Sequence, residues 1–100
     1  MITFARTVTY AAGKNAEILS LTRLIKKHLA DKHGIELRAS VPLGSGDPSR
    51  VLYSATFASL SAYEEAALKL ATDPEYQKLL GAYAPHVFAG PMHDQLWRDI

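Results

Sequence analysis

The stretch that says most about the fold is residues 50–64, RVLYSATFASLSAYE. In its first half every second side chain is apolar, and this period of two predicts a β-strand over residues 50–57. Its second half predicts the start of a helix, because Ser59 and Ser61 are both suitable N-caps. Ser61 has capping-box spacing to Glu64, whereas Ser59 would place Leu60 on the buried stripe of the helix. A strand therefore leads almost directly into an amphipathic helix.

The same alternation recurs on both sides of this stretch. It predicts further strands over residues 2–10, 35–41 and 93–100. After the second helix, Asp73-Pro74 predicts that the helix restarts, since Asp is a favourable N-cap and Pro is favoured at the first helical position. The element order is then β-α-β-β-α-β with a broken second helix, which predicts a ferredoxin-like α+β fold.

The first helix has recognisable ends and one apolar stripe. Asn15 is its predicted N-cap, and Gly34 predicts a left-handed stop after a last turn that contains Lys32 and His33. The residues at helical spacing between these ends are apolar and predict the buried face: Ile18, Leu21, Ile25 and Leu29.

Length and charge exclude several classes of protein. One hundred residues suffice for a single domain spanning residues 1–100. Eleven basic and ten acidic side chains give a net charge of +1, without the basic excess that a nucleic-acid-binding surface needs. The βαββαβ order would also suit an RNA-recognition domain, but residues 50–57 lack its basic-Gly-aromatic signature. We therefore expect no nucleic-acid partner.

The chain contains no cysteine, which excludes disulfides, thiolate metal sites and cysteine nucleophiles. Its first residues lack the order of a secretory signal, and its uncharged stretches are too short to span a bilayer. A cytoplasmic location without membrane contact is the expectation.

Two segments carry a resemblance to a known family: FASLSAYE, residues 57–64, and DPEY, residues 73–76. Together with the element order they resemble the NIPSNAP-like branch of the dimeric α+β barrel superfamily. The resemblance implies an antiparallel four-stranded sheet, with helices on one face and a partner's sheet against the other. Relatives include cofactor-independent quinol monooxygenases, haem-degrading oxygenases, and small isomerases and cyclases. The haem-degrading enzymes carry an Asn-Arg pair in the first strand, whereas Arg6 here follows Ala5. No cofactor is expected.

Two arginines within strands are candidates for a ligand pocket between sheet and helices. Arg6 and Arg38 both fall within predicted strands, where an unpaired buried charge is costly. Each therefore needs a carboxylate, from Glu36 or from a partner chain, or an acidic or phenolic ligand.

Three further residues complete the candidate pocket. His28 borders the apolar stripe of the first helix, as a half-buried hydrogen-bonded side chain or as a proton carrier. Tyr53 is a core aromatic whose hydroxyl could also hold a flat organic molecule. His86 falls in an irregular segment, and such segments often carry functional residues on a rigid scaffold.

The sequence predicts no metal site. His28 and His33 are five residues apart, which separates them by about 140° around a helix and argues against their binding one ion together. A site of His86, His93 and Asp94 is conceivable, but no zinc signature supports it.

None of the four predicted strands has a plainly charged face, although a lone two-layer domain exposes one face of its sheet to water. A second copy covering that face gives a closed twofold interface, so we expect a homodimer with Trp97 at the interface.

Three functional hypotheses follow. The first is a dimer that binds a small organic molecule between sheet and helices. The second is a cofactor-independent enzyme, a monooxygenase, isomerase or cyclase, acting on an aromatic or polyketide-like compound. The third is a structural subunit of a larger assembly. An apolar cavity with convergent polar groups would favour the enzyme, and a space filled with side chains would favour the structural subunit.

Overall fold

The structure is a computed structural model that describes residues 1–11, 13–44, 49–87 and 92–100. Four strands and three helices make up the domain, with a short 3-10 turn at residues 84–86. In chain order they are β1 (Ile2–Thr9), α1 (Asn15–His33), β2 (Arg38–Ser40), β3 (Arg50–Phe57), α2 (Leu60–Ala71), α3 (Pro74–Tyr83) and β4 (His93–Arg98). None of these helices has the length and apolar character needed to cross a membrane.

The four strands form one antiparallel sheet in the order β2-β3-β1-β4. β1 is central and pairs along its length with β3, and on its other side with β4. The predicted ferredoxin-like α+β fold is therefore confirmed, and the strand predicted over residues 50–57 has those same bounds.

The register of the strands sorts the side chains onto two faces, because residues directly opposite each other in an antiparallel pair share a face. Arg6 lies opposite Tyr53 and Asp94, and Val8 lies opposite Val51. Val8, Val51 and Tyr53 pack with Ile18 of α1 to form the buried core, so theirs is the face covered by helices. The opposite face, called the open face below, carries Thr3, Ala5, Thr7, Leu52, Ser54, Thr56, His93, Gln95, Trp97 and Arg38.

The two ends of α1 differ in how well the sequence predicts them. Gly34 has a φ of 64° and ends the helix in the left-handed conformation, as predicted. The prediction of Asn15 as N-cap is wrong: Lys14 holds that position, and its carbonyl accepts from the amide of Ile18. Gly13, directly before this N-cap, has a φ of 79°.

β2 is shorter than the predicted strand over residues 35–41. The amide of Ile35 donates to the carbonyl of Leu29 and so completes the end of α1 instead of pairing in the sheet. β2 is also an edge strand that pairs only with β3, and it spans three residues.

The second helical region is broken as predicted. Ser59 is the N-cap of α2, since its hydroxyl accepts from the amide of Ala62 at 3.1 Å. Leu60 follows it but is 41% exposed, so its expected place on a buried stripe is wrong. Asp73 caps α3, with Pro74 at the first helical position.

Candidate functional site

A cavity of about 250 Å³ lies between the helix-covered face of the sheet and helices α1 and α3. Most of its wall is apolar, formed by Phe4, Val8, Ile25, Leu29, Leu37, Leu80, Val87 and Met92. Four polar side chains also line it: Arg6, Tyr53, Tyr76 and Tyr83. Helix α3 contributes Tyr76, Leu80 and Tyr83 because residues at i, i+4 and i+7 share one helical face.

A chain of three hydroxyl groups runs into this cavity. The hydroxyls of Thr22 and Tyr53 are hydrogen bonded at 2.8 Å, and those of Tyr53 and Tyr83 at 2.7 Å. Burial, reinforced by the hydrogen bond with Tyr53, raises the pKa of Tyr83. Tyr83 therefore keeps its proton at neutral pH and can donate or accept a hydrogen bond without acting as a base.

Arg6, the only charged residue among the described residues of the cavity wall, is already neutralised. Arg6 donates through Nε to Oδ1 of Asp94 at 2.7 Å and through Nη2 to Oδ2 at 2.9 Å, a bidentate pair. The hydrogen bond raises the pKa of Arg6 and lowers the pKa of Asp94. The prediction that Glu36 or an acid of a partner chain pairs with Arg6 is wrong. The β1–β4 register instead brings Asp94 directly opposite Arg6.

Of the predicted pocket residues, Arg6 and Tyr53 line the cavity and Arg38 does not. Arg38 lies opposite Ser54, which alternation along β3 places on the other side of the sheet from Tyr53. The prediction that Arg38 belongs to a pocket between sheet and helices is therefore wrong. The sequence held the signal for this, because alternation over residues 35–41 separates Arg38 from its neighbour Leu37, which does line the cavity.

His86 lies beside the cavity, in the 3-10 turn between Tyr83 and Val87. Its carbonyl accepts from the amide of Ala11 at 2.9 Å, which ties this turn to the end of β1. Its Nδ1 is buried and has no hydrogen-bond partner in the part of the chain that the structure describes. A role in ligand binding stays a prediction.

His28 is not among the cavity residues but forms part of a second polar cluster. The Nε2 atoms of His28 and His33 each lie 2.7 Å from Oδ2 of Asp73, the residue that caps α3. The expectation that the two histidines cannot converge is wrong. Their side chains are long enough to meet over the last turns of α1, where α3 presents a common acceptor.

Asp73 has hydrogen-bond partners on both carboxylate oxygens. Its Oδ1 accepts from the backbone amides of Glu75 and Tyr76 at 3.0 and 3.2 Å, and from Nζ of Lys32 at 3.1 Å. The hydrogen bond from His33 lowers the pKa of Asp73 the most, and burial opposes it; the sum keeps the pKa well below its usual range. Asp73 is therefore an ionised, buried carboxylate.

The other histidine set considered for a metal does not assemble. His93 lies opposite Thr7 on the open face, whereas Asp94 lies opposite Arg6 on the helix-covered face. Sequence reasoning also missed two cavity residues, Tyr76 and Tyr83. Their helical spacing was the signal that could have found them.

Comparison with solved structures places this fold among known ones. A NIPSNAP domain protein from Burkholderia xenovorans superposes with a TM-score of 0.82 at 20% identity, covering 100% of this chain and 95% of that one. A NIPSNAP family protein from Agrobacterium tumefaciens gives 0.77 at 21% identity, covering 99% and 85%. A variant of SnoaB, a cofactor-independent oxygenase from Streptomyces nogalater, gives 0.70 at 15% identity, covering 98% and 91%.

No family profile matches the chain, and no curated protein matches it either. At the identities given above, the similarity is one of fold. It agrees with the resemblance carried by residues 57–64 and 73–76. The chain has the ferredoxin-like α+β fold of NIPSNAP domain proteins and of this cofactor-independent oxygenase.

Proposed function

We propose that this protein binds a small neutral aromatic molecule in the cavity between the sheet and the helices. The observation that carries the proposal is the cavity itself, whose apolar wall is interrupted by the paired hydroxyls of Tyr53 and Tyr83. Apolar pockets with a few placed polar groups are typical of small-molecule sites. The wall would bury the rings of the ligand, and the hydroxyls would fix a polar substituent.

The charge of the cavity argues for a neutral ligand. Arg6 would attract an anion if it were unpaired, but its Nε and Nη2 already donate to the carboxylate of Asp94. A phenol or quinol can still accept a hydrogen bond from Tyr83 or donate one to it, at no cost in unpaired charge.

The size of the cavity argues for one or two fused rings. Its volume of about 250 Å³ lies just below the roughly 300–1,000 Å³ of typical ligand pockets. 1,4-Dihydroxynaphthalene is therefore a suitable probe, and naphthalene is its counterpart without hydroxyls.

The binding test measures the thermal shift and the calorimetric Kd of both probes without oxygen. We expect 1,4-dihydroxynaphthalene to bind more tightly, and Tyr83→Phe to weaken its binding about five- to tenfold while leaving naphthalene unchanged. Tyr63→Phe makes the same change at a ring that is not among the described lining residues, although it stacks on the wall residue Phe4 as well as packing on Phe57, and it should bind as the parent does because its hydroxyl is not part of the wall. Equal binding of the two probes, or equal effects of the two variants, would contradict the proposal.

A second candidate function is cofactor-independent oxidation of such a molecule. It is supported by the fold shared with a cofactor-independent oxygenase and by the buried, unpartnered Nδ1 of His86 beside the cavity. A base at this position would take a proton from the ligand hydroxyl and so prepare the ring for reaction with oxygen. Oxygen uptake with 1,4-dihydroxynaphthalene, lost in His86→Gln while binding is kept, would identify the enzyme. Binding with uptake no faster than in buffer would identify a binding protein.

The same proposal includes a homodimer joined through the open face. Trp97 is 58% exposed and Leu52 43% exposed on that face, a large apolar surface for a single copy. Covering it with a second open face would bury both side chains. Light scattering should give about twice the chain mass of 11.0 kDa.

A cytoplasmic location is part of the proposal, since a chain without cysteine needs no oxidising compartment.

A further inference from the structure

The cluster of His28, His33 and Asp73 lies outside the cavity and takes no part in the proposed binding. One ligand-type atom from each residue lies within 4.8 Å of the other two. The cluster is almost closed to water: the side chains of His28, His33 and Asp73 are 11%, 10% and 1% exposed. Two imidazoles and a carboxylate at this spacing are the donor set of many zinc sites.

The carboxylate is held in place before any ion arrives. Oδ1 of Asp73 is fixed by the backbone amides of Glu75 and Tyr76 at the start of α3, which leaves Oδ2 to face the two histidines. A ligand whose second oxygen is anchored in this way loses little freedom on binding, as in sites where outer hydrogen bonds orient the metal ligands.

We propose that this cluster binds one divalent transition-metal ion, with Zn²⁺ as the natural probe. Nε2 of His28, Nε2 of His33 and Oδ2 of Asp73 would be the protein ligands, and water would complete a tetrahedral shell. Ligand atoms around tetrahedral zinc lie about 3.3 Å apart. The observed Nε2–Oδ2 distances of 2.7 Å would open slightly, a change that small side-chain rotations can make.

The donor set favours zinc, nickel or copper over magnesium or calcium. Imidazole nitrogen suits the later transition metals, whereas magnesium and calcium require shells made almost wholly of oxygen. Each ring would bind as neutral imidazole, with its remaining proton on Nδ1.

One residue of the cluster, His33, also borders a cavity that opens to solvent. This second cavity has a volume of about 290 Å³ and is bounded by Gly34, Thr56 and α2. This cavity reaches the surface at Glu65 and Lys69, both exposed residues of α2.

The positive charge of Lys32 opposes binding of a metal ion at this cluster, so removing that charge tests the proposal. Its Nζ lies 3.1 Å from Oδ1 of Asp73, so its positive charge would repel a cation at Oδ2. The side chain is 51% exposed and can turn into solvent when the ion binds. Removing this charge should tighten metal binding several-fold.

The experiment titrates Zn²⁺ into tag-free, chelator-treated protein and follows it by calorimetry and thermal melting. We expect one ion per chain, and a Tm increase on the order of 10 °C at a free concentration of about 100 times Kd. His28→Gln and His33→Gln keep an amide that can donate to Asp73 but lose the imidazole nitrogen. Each should abolish the Zn²⁺-dependent shift.

His93→Gln and His86→Gln are the matched controls, since they remove histidines outside the cluster, and both should keep the shift. Lys32→Met should lower the Kd several-fold. Absence of one-to-one binding to the parent protein would overturn the proposal. A shift that persists in either cluster variant, or disappears in His93→Gln, would do the same. If the glutamine variants melt far below the parent without metal, the Lys32→Met affinity decides the question, because that variant leaves all three ligands intact.

Discussion

The two faces of the sheet differ most in what covers them. On the helix-covered face, Val51 is 3% exposed and Tyr53 is 8% exposed. On the open face, Leu52 is 43% exposed although it is the immediate neighbour of both. Alternation along one strand thus separates a surface that the helices bury from a surface that the described residues leave exposed.

The largest effect should come from the core under the helix-covered face. Ile18 is fully buried, so Ile18→Ala removes buried apolar volume and leaves a cavity, at a cost of about 3 kcal/mol in the free energy of unfolding. Leu24→Ala, in the same helix but 53% exposed, should cost under about 1 kcal/mol. Urea denaturation measures both. Equal losses would mean that α1 does not pack on the sheet as described.

The next effect comes from the hydroxyl chain on the same face. Tyr53→Phe removes the group that bonds both Thr22 and Tyr83, and it leaves the buried Thr22 hydroxyl without this partner. We expect a loss of about 1–3 kcal/mol. Thr22→Val removes only one bond of the chain and should cost less, because Tyr53 keeps its bond to Tyr83. Denaturation of the two variants and of their double mutant gives the coupling free energy between the two side chains. A larger loss of stability for Thr22→Val than for Tyr53→Phe would contradict the expected order.

A smaller effect concerns the pair of Arg6 and Asp94. Arg6 lowers the pKa of Asp94 in the folded protein, so the pair stabilises the fold above the unfolded Asp pKa of about 3.9. That contribution is lost as pH falls from about 4 through the lower folded pKa. Because the Asp94 side chain is 46% exposed, we expect under about 1 kcal/mol. Asp94→Asn should remove this contribution to the pH dependence of the free energy of unfolding, measured by denaturation between pH 2 and 6. If the free energy of unfolding of the two proteins changed in parallel with pH, this prediction would be contradicted.

The smallest effect on the stability of one chain should come from the open face. Trp97→Lys changes a side chain that is 58% exposed, so the free energy of unfolding of a single chain should change by about 0.5 kcal/mol or less. The same substitution should shift the light-scattering mass from that of a dimer towards 11.0 kDa. Leu68→Lys, at a residue of α2 that is 71% exposed, should leave the proposed dimer intact. Identical masses for the two variants would argue against an interface on the open face.

Local patterns in the sequence were sufficient for much of the fold. The alternation in residues 50–57, the left-handed stop at Gly34 and the start of α3 at Asp73 each depend on neighbours within a few residues. Such patterns also indicate which side chains of one strand share a face. Alternation alone puts Arg38 on the opposite face from the cavity residue Leu37, so the placement of Arg38 in the cavity went against this pattern. Such patterns do not indicate where a strand lies in the sheet.

The polar clusters depend on contacts between distant residues. Arg6 and Asp94 meet through strand pairing, and His28 and His33 meet at a residue some 40 positions away. The angle between two positions around a helix does not describe where long side chains end. A helix cap such as Asp73 looks purely local in sequence, although both of its carboxylate oxygens also bond side chains of α1.

The strand order has a consequence for folding of this protein during its synthesis on the ribosome. β1 is synthesised before the other strands, yet it lies between β3 and β4 in the sheet. β4 is synthesised only after α2 and α3. At about 5–20 residues per second, roughly 4–18 seconds separate completion of β1 from completion of β4. During that interval α1 and β3 can already cover one face and one edge of β1. The remaining edge keeps unpaired amides and carbonyls, and it is there that a nascent chain would capture a strand from its neighbour before its own arrives.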